Sequence, residues 1–266
     1  MEEAAASAWP AALDEVVTAR AGARFEARLA RRMAGEPLQY VLGHWSFRNL
    51  DVLVDRRVLI PRPETEITVE VALQELDRIR AARGAGATVV DLGTGSGVIA
   101  LSLASERHGV TVWATDASTG ALDVARANVA GMAGSAAPRV RLVEGRWWEA
   151  LPPALAGSVD LVVSNPPYVS SAEMSRLAPV VADWEPPAAL CAGTTGLEDV
   201  AEIVGDASRW LRRGGAAIVE IAPHQAGPVV DLARRAGLVG AEVHPDLAGR
   251  LRVLVARAPG GRHSGG

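Results

Sequence analysis

The pattern of hydrophobic and polar positions divides the chain into a helical beginning and a longer part in which strands and helices alternate. Before Gly35, apolar residues such as Phe25 and Leu29 recur at helical spacing, which predicts a short helical region. Between Leu42 and Ile60, apolar and polar residues alternate, which predicts a β-hairpin. A helix is then predicted from about Glu64 to Arg83.

From residue 88 onwards, short apolar runs typical of buried strands alternate with helical stretches. The predicted strands are Thr88–Leu92, Val110–Thr115, Val140–Glu144, Val159–Ser164, Ala216–Ile221, Ala241–His244 and Arg252–Ala256. The predicted helices between them are Val98–Glu106, Gly120–Val129, Asp199–Leu211 and Pro228–Ala236. This alternation predicts an α/β fold with a doubly wound, mostly parallel sheet of seven strands. The last two strands have a short connection, so one of them should be antiparallel to the rest.

The predicted elements divide the chain into four segments. Residues 1–41 form a short helical N-terminal region, and residues 42–63 form a β-hairpin linker. Residues 64–258 form the α/β domain. The Gly-rich segment 259–266 is predicted to be a disordered tail.

Composition narrows the class of protein. A chain of 266 residues that is 49% hydrophobic and 22% charged can bury a sizeable core. The net charge of −4 argues against a protein whose main task is to grip phosphate backbones, so no stable nucleic-acid complex is expected. The acidic start is unlike a secretory signal, and no apolar run is long enough to cross a membrane. Cys191 is the only cysteine, which excludes an internal disulfide and a cysteine-built zinc site. We therefore expect a cytoplasmic protein without a metal, and a monomer in the absence of any contrary signal.

A glycine-rich turn follows the first predicted strand of the α/β domain. Asp91 and Leu92 end the strand, and Gly93, Thr94, Gly95, Ser96 and Gly97 lead into a helix. Glycines let a ligand approach the main chain, and the helix N-terminus offers free N–H groups. A dinucleotide fingerprint requires glycine where Val98 stands. Asp116 ends the next strand, 19 residues beyond Gly97, where a carboxylate can accept hydrogen bonds from both ribose hydroxyls. These features predict a nucleoside cofactor with a small anionic group, such as S-adenosylmethionine.

A second motif, Asn165-Pro166-Pro167-Tyr168, follows the fourth predicted strand, at the same edge of the sheet as the glycine turn. A planar amide or exocyclic amine offers two N–H donors. The side-chain oxygen of Asn165 and the main-chain carbonyl of Pro166 are suitable acceptors. The two prolines stiffen the loop and remove competing main-chain donors, and Tyr168 can stack on a planar group. The motif predicts methyl transfer to an amide or amine nitrogen.

The sequence resembles the HemK/PrmC group, the peptide chain release factor N5-glutamine methyltransferases, from about Gly35 to Arg257. The Asn-Pro-Pro-Tyr box is shared with amino-methyltransferases of DNA and RNA, whereas the other runs are more specific. The runs that carry the resemblance are Gly35–Tyr40, Leu59–Glu66, Asp91–Gly97, Asn165–Tyr168, Trp184–Pro186 with Ala189 and Leu190, Gly196 with Leu197, and Asp246 with Gly249 and Arg250.

The resemblance implies a Rossmann-like class I methyltransferase fold, with residues 64–258 as the methyltransferase domain. It also implies methylation of the glutamine in the Gly-Gly-Gln loop of a class-1 release factor, supporting translation termination. Asn165–Tyr168 would hold that glutamine, and Asn165 would also touch the cofactor. The helical N-terminal domain would contact the release factor. The implied S-adenosylmethionine-binding residues are Asp91, Gly93, Thr94, Gly95, Ser96, Gly97 and Asp116, with Trp147 packing near the adenine.

The sequence departs from the family pattern at two places. The region before Gly35 is about half the usual length. Arg146 stands where the family often has an acidic residue that accepts a hydrogen bond near the adenine, and an arginine can only donate. Two alternative substrates stay open, namely a glutamine of a ribosomal protein and an adenine base flipped out of a nucleic acid.

Overall fold

The structure, a computed structural model, describes residues 8–84, 86–132, 134 and 136–260. Part of the predicted N-terminal region (1–7) and most of the predicted tail (261–266) lie outside these residues. The helices are α1 (Ala8–Met33), α2 (Leu38–Leu42), α3 (Pro63–Arg83), α4 (Val98–Glu106), α5 (Thr119–Gly131), α6 (Ser171–Met174), α7 (Pro179–Ala182), α8 (Glu198–Trp210) and α9 (Ala226–Arg235). The strands are β1 (His44–Phe47), β2 (Leu50–Leu53), β3 (Ala87–Leu92), β4 (Val110–Asp116), β5 (Val140–Glu144), β6 (Val159–Ser164), β7 (Leu211–Glu220), β8 (Val239–Pro245) and β9 (Leu251–Arg257).

Within the described ranges, β3 to β9 form a seven-stranded sheet in the order β5-β4-β3-β6-β7-β9-β8. The neighbours from β5 to β7 are parallel, and β9 is antiparallel to both β7 and β8. The prediction that one of the last two strands is antiparallel is confirmed, and the strand is β9. The strand order reverses direction between β3 and β6, and this switch point opens a crevice at the carboxyl ends of the strands.

The central strands are buried on both faces because helices cover both sides of the sheet. Val89 on β3 packs with the cluster that contains α3 and α4, whereas the next residue, Val90, packs with the cluster that contains α8 and α9. On β6, Leu161 and Val162 divide between the same two clusters. Successive side chains of a strand point to opposite faces, so one continuous apolar run serves both layers.

β7 is longer than the sequence predicted. The run Arg212 to Gly215 resembles a turn, but the strand begins at Leu211 and passes through it, with an irregularity opposite Val159 and Leu161. A Cβ atom on Gly215 would lie 2.9 Å from the carbonyl oxygen of Asp160, so only glycine allows this close approach. The predicted final residue of helix α8, Leu211, therefore belongs to the strand.

The β1–β2 hairpin packs onto the α/β domain and shares its core. Phe47 and Val52 are almost completely buried in the cluster that also contains α3 and β3. The Arg48 side chain joins the hairpin to α4 through two hydrogen bonds of 2.7 Å to Glu106. The predicted linker is thus anchored to the domain along its length.

Helix α1 ends at an anchored junction. The guanidinium of Arg31 donates to the Glu36 carboxylate and, at 2.8 Å, to the carbonyl of Tyr40. Before that junction the side chains from residue 17 onwards are exposed. No helix in the described part of the chain is long and apolar enough to cross a membrane. Four large apolar side chains, here called the α1 stripe, lie exposed along the helix: Val17, Phe25, Leu29 and Met33.

Candidate active site

The carboxyl ends of four neighbouring strands bring the motif residues into one row. Leu92 of β3 pairs with Thr115 of β4 and with Ser164 of β6, and Ser164 pairs with Val219 of β7. The residues that follow these positions therefore come side by side at the edge of the sheet. They are Asp116, Gly93, Asn165 and Glu220.

The glycine loop is shaped by a buried carboxylate. Asp91 is completely buried, and its Oδ2 atom accepts hydrogen bonds from Thr94 Oγ1 at 2.6 Å and from the Ala100 N–H at 3.2 Å. Burial raises the pKa of Asp91 to about 7, against the opposing effect of the hydrogen bond from Thr94. Asp91 therefore connects the glycine loop, at Thr94, to helix α4, at Ala100, and holds the turn against the helix.

Asp116 braces the same loop from the neighbouring strand. Its Oδ2 atom accepts from the Gly95 N–H and its Oδ1 atom from the Ser118 N–H, both at 2.9 Å. Burial raises the pKa of Asp116, and the two main-chain hydrogen bonds oppose the rise. Each carboxylate oxygen can accept more than one hydrogen bond, so the group can still receive hydroxyl donors from a ligand.

Trp147 is held in an unusual backbone conformation. Its φ angle is +46°, a left-handed value that costs on the order of 1–3 kcal/mol for a non-glycine residue. A Cβ atom on Gly93 would lie 2.9 Å from the Trp147 ring, so the glycine makes room for the indole. The ring thereby forms a wall beside the glycine loop.

Arg146 lies between two acidic side chains of helix α8. One guanidinium nitrogen donates to Asp199 Oδ1 at 2.9 Å, and the other pairs with Glu202. The Asp199 carboxylate is 14% exposed and lies close to the indole N–H of Trp147, without the geometry of an ordinary hydrogen bond. Burial raises the pKa of Asp199, and the charge of Arg146 opposes the rise. An acidic side chain, Asp199, is thus present beside Arg146 on α8.

Asn165 projects from the end of β6 with its two amide atoms in different surroundings. Its Nδ2 atom donates to Thr65 Oγ1 on helix α3 at 3.0 Å. Its Oδ1 atom is buried and has no hydrogen-bond partner among the described residues. A buried acceptor without a partner calls for an explanation, and a donor supplied by a ligand is one.

Two of the family-like runs meet through Glu185, whose side chain is 1% exposed. Its carboxylate accepts from the Ile60 N–H at 3.2 Å and pairs with Arg62. The loop that follows Tyr168 is held by Gln225, which donates to the Tyr168 carbonyl at 3.1 Å. These contacts hold the run around Arg62 against Glu185 and the main chain of Tyr168 against Gln225.

The row of strand ends opens into a cavity of about 410 Å³. Arg146 and Asp199 lie in its wall, together with Thr65 and Arg62. Asp91 and Gly97 are absent from the lining but hydrogen-bond to the loop at Thr94, and Tyr168, the last residue of the box, is also absent from the lining and lies near Glu220 and Arg252. Pro166 is buried. The predicted residues that line the cavity are Gly93, Thr94, Gly95, Ser96, Asp116, Trp147, Asn165 and Pro167.

The cavity fits S-adenosylmethionine on its donor and acceptor set. The Asp116 carboxylate suits a ribose, the wall of Trp147 and Asp199 suits an adenine, and Asn165 lines the cavity with a side-chain oxygen that has no partner among the described residues. Glycines 93 to 97 let the ligand approach the main chain.

Three residues of this region were not predicted from the sequence. Thr65 and Asp199 line the cavity, and Glu220 ends β7 beside Asn165. Glu220 follows an apolar strand as Asp116 does, so the same signal could have found it. For Asp199 the sequence offers no such signal, because its place beside Arg146 depends on how α8 packs.

The α/β domain matches the family model of the Methyltransferase small domain over residues 67–180. Its fold and cavity define a class I methyltransferase that depends on S-adenosylmethionine. Residues 5–43 match the model of the PrmC N-terminal domain. The chain belongs to the family of release factor glutamine methyltransferases.

Three relatives named "Release factor glutamine methyltransferase" carry this assignment. The protein from Cereibacter sphaeroides is 42% identical over 93% of this chain and 84% of its own length. The protein from Gloeobacter violaceus is 45% identical over 87% of this chain and 79% of its own length. The protein from Xylella fastidiosa (strain Temecula1) is 41% identical over 93% of this chain and 86% of its own length.

Solved structures share the fold at low sequence identity. The N-terminal domain of human METTL16 in complex with SAH superposes with a TM-score of 0.56 at 17% identity, over 79% of this chain and 76% of that one. A methyltransferase from Pyrococcus furiosus superposes with a TM-score of 0.55 at 17% identity, over 88% of this chain and 98% of that one. At this identity the likeness concerns the fold alone.

Proposed function

We propose that this enzyme methylates the side-chain amide nitrogen (N5) of the glutamine in the Gly-Gly-Gln loop of a class-1 peptide chain release factor. The observation that carries the proposal is the Asn165 residue, which lines the cavity and whose buried Oδ1 atom lacks a partner in the described structure. A primary amide needs acceptors for its two N–H groups, and Asn165 Oδ1 supplies one. The Pro166 carbonyl is proposed to supply the other.

The amide nitrogen is a weak nucleophile because its lone pair is delocalised. Accepting both of its N–H groups raises the electron density on nitrogen and fixes its direction of approach. S-adenosylmethionine, when bound, supplies a methyl group on a positively charged sulfur. The ring of Tyr168 is proposed to stack on the planar amide, and Pro167 closes the wall against water.

The cofactor is proposed to lie along the row from Asp116 to Asn165. Asp116 would accept the ribose hydroxyls, and the loop from Gly93 to Gly97, held by Asp91, would bring main-chain N–H groups to the ligand. Trp147 would pack against the adenine. Asp199 is proposed to accept from the adenine amino group, in place of the acidic residue that Arg146 replaces.

The N-terminal region is proposed to contact the release factor through the α1 stripe. Large apolar side chains that lie exposed along one helix commonly mark an interaction surface. Phe25 is 63% exposed and Met33 is 79% exposed. Arg20, Arg24 and Arg28 follow each other at one-turn spacing on the same helix, so an acidic partner surface is favoured. A monomer is expected to suffice, because one chain supplies every residue proposed for the site.

Binding remote from the reacting atom positions the amide, so a full-length release factor should be methylated much faster than a short Gly-Gly-Gln peptide. The test uses radiolabelled S-adenosylmethionine with the release factor, its loop Gln→Ala variant, the peptide, ribosomal proteins and DNA. Mass spectrometry of tryptic peptides then locates the methyl group. Equal labelling of the Gln→Ala variant, or labelling of DNA or a ribosomal protein alone, contradicts the proposal.

A further inference from the structure

The orientation of the Asn165 amide determines whether the site can receive a substrate amide. A rotation of 180° about the last side-chain bond exchanges Oδ1, an acceptor, with Nδ2, a donor. With Oδ1 inward, the cavity wall accepts an N–H group, whereas with Nδ2 inward it would repel one. In the structure, Nδ2 is directed to Thr65 Oγ1 at 3.0 Å, which leaves Oδ1 without a protein partner in the described ranges.

The Thr65 hydroxyl can couple the charge state of a neighbouring group to the orientation of the Asn165 amide. When this hydroxyl accepts from Nδ2, its own proton is free to be donated elsewhere. The Glu220 carboxylate lies close to this hydroxyl, because Thr65 and Thr68 both lower the pKa of Glu220 against the effect of burial, although only Thr68 has the geometry of an ordinary hydrogen bond to it. Thr68 Oγ1 donates to Glu220 Oε2 at 3.0 Å.

The sheet register places Glu220 independently of these hydrogen bonds. Ser164 of β6 pairs with Val219 of β7, so the next residues, Asn165 and Glu220, end the two strands side by side. Helix α3 crosses above both strand ends and supplies Thr65 and Thr68. Glu220 is 1% exposed. Burial of a carboxylate is energetically unfavourable, so its presence here calls for a role in the site.

We propose that Glu220, acting through the Thr65 hydroxyl, is a positioning residue that keeps the Asn165 side-chain oxygen turned towards the substrate amide. An ionised carboxylate can only accept, so Thr65 must donate to it. Thr65 then offers its lone pair to Asn165 Nδ2, and Oδ1 is left facing the cavity. The inference rests on the proposed function, because it explains how the Asn165 side chain, which is proposed to bind the substrate amide, is oriented.

This arrangement should respond to pH. Burial raises the pKa of Glu220 to about 6. The other groups that face it are Glu64 on α3, Arg252 on β9 and Tyr168 after β6. The pKa of Glu220 in the folded protein lies above its ordinary value, so the protein loses stability as the pH rises through about 6 and Glu220 ionises. The same ionisation produces the carboxylate that accepts a hydrogen bond from Thr65. Below that pH the protonated acid can donate to Thr65, which can then donate to Asn165 Oδ1 and turn the amide the wrong way.

Substitution of the hydroxyl tests the relay directly. Thr65→Val keeps the shape but removes the hydroxyl, so kcat for release-factor methylation should fall by about 10- to 100-fold. The Kd for S-adenosylhomocysteine, measured by calorimetry, should stay within about twofold, because Asp116 and Asp199, which are proposed to hold the ribose and the adenine, are unchanged. Thr65→Ser restores the hydroxyl and should recover kcat.

Thr68→Val is the matched control. It removes the other hydroxyl on the same carboxylate without touching Asn165, so at about pH 8, where Glu220 stays ionised, kcat should change by less than about threefold. Full activity of Thr65→Val, an equal loss in Thr68→Val, or no recovery in Thr65→Ser overturns the proposal. Thermal unfolding of each variant checks that a loss of kcat does not reflect a loss of the fold.

A spectroscopic measurement tests the same relay without activity. The chain has three asparagines, Asn49, Asn128 and Asn165, so selective ¹⁵N-asparagine labelling leaves few side-chain amide signals to assign. In the wild type, the Asn165 signals and kcat should both titrate near pH 6. In Glu220→Gln both titrations should disappear. A titration of the Asn165 signals near pH 6 that persists in Glu220→Gln, or one that is absent from the wild type, overturns the proposal; a titration of kcat alone near pH 7 belongs to Asp91.

The two proposals fail in distinguishable ways. If the wild-type enzyme leaves the release factor unmethylated, the proposed function fails, while the titration of Asn165 still tests the relay. If the wild type is active and Thr65→Val is equally active, the relay alone is wrong.

Discussion

Asp116→Ala is expected to weaken cofactor binding strongly while leaving the fold in place. The Asp116 carboxylate lines the cavity and braces the loop through the N–H groups of Gly95 and Ser118, each at 2.9 Å. In our assignment it also accepts both ribose hydroxyls. The alanine variant therefore loses two ligand contacts, and the loop loses one brace that helps to pre-organise it.

The size of the effect follows from the charge on the acceptor. A hydrogen bond to a charged group contributes about 1.5–3 kcal/mol, so two of them contribute about 3–6 kcal/mol if they are additive. Bonds to one carboxylate are coupled, which favours the lower end of this range. Since about 1.4 kcal/mol corresponds to a tenfold change in Kd, the expected loss is about 100-fold or more.

The assay is calorimetric titration with S-adenosylhomocysteine. The matched control is Asp123→Ala, because Asp123 is an exposed carboxylate on α5 that pairs with Arg126 at 2.6 Å and lies away from the cavity wall. Asp116→Asn, which keeps one side-chain acceptor, should fall between the wild type and the alanine variant. A Kd within about threefold of wild type for Asp116→Ala, with an unchanged Tm, would refute the ribose assignment.

Three further changes probe the rest of the site. Asn165→Ala should lower kcat by about 100-fold or more with a smaller effect on S-adenosylhomocysteine binding, because it removes the acceptor that orients the amide; near wild-type turnover would contradict the mechanism. Asp199→Ala should weaken binding of S-adenosylhomocysteine by about tenfold, as measured by calorimetry. It should leave binding of S-inosylhomocysteine unchanged, because that ligand lacks the amino group. The control Glu202→Ala should leave binding of both ligands unchanged. An equal loss for both ligands in Asp199→Ala would exclude an adenine contact. Arg62→Met should lower the free energy of unfolding by about 3 kcal/mol in urea, because it leaves the buried Glu185 carboxylate without its cation; a loss below about 1 kcal/mol would show that the Ile60 N–H suffices.

Much of the site was predictable because parallel sheets collect the ends of their strands. The motifs at Gly93 and Asn165 each follow a run of buried apolar residues, and the α/β pattern implies that such runs end at one edge. Asp116 was predictable for the same reason. Local sequence therefore sufficed to predict which residues meet, although they lie on three different strands.

Arg146 shows what local sequence does not reveal. The sequence places an arginine, which can only donate, where the family often has an acceptor for a hydrogen bond near the adenine. In the structure its guanidinium binds Asp199, 53 residues further along the chain, and that carboxylate lies in the cavity wall. No pattern around either residue encodes this pairing, because it depends on how helix α8 packs against the loop after β5.

The amino-acid sequence by itself determined the alternation of helices and strands in the α/β domain, the antiparallel direction of one of the last two strands, and the loops that are proposed to carry the chemistry. The reason is that hydrophobic periodicity and glycine or proline preferences act over a few residues. Tertiary structure alone decided which donors the buried carboxylates contact. Glu185 meets Arg62 across 123 residues, and Glu220 meets Thr68 across 152, because a buried carboxylate is stabilised by whichever donors the packed fold brings to it.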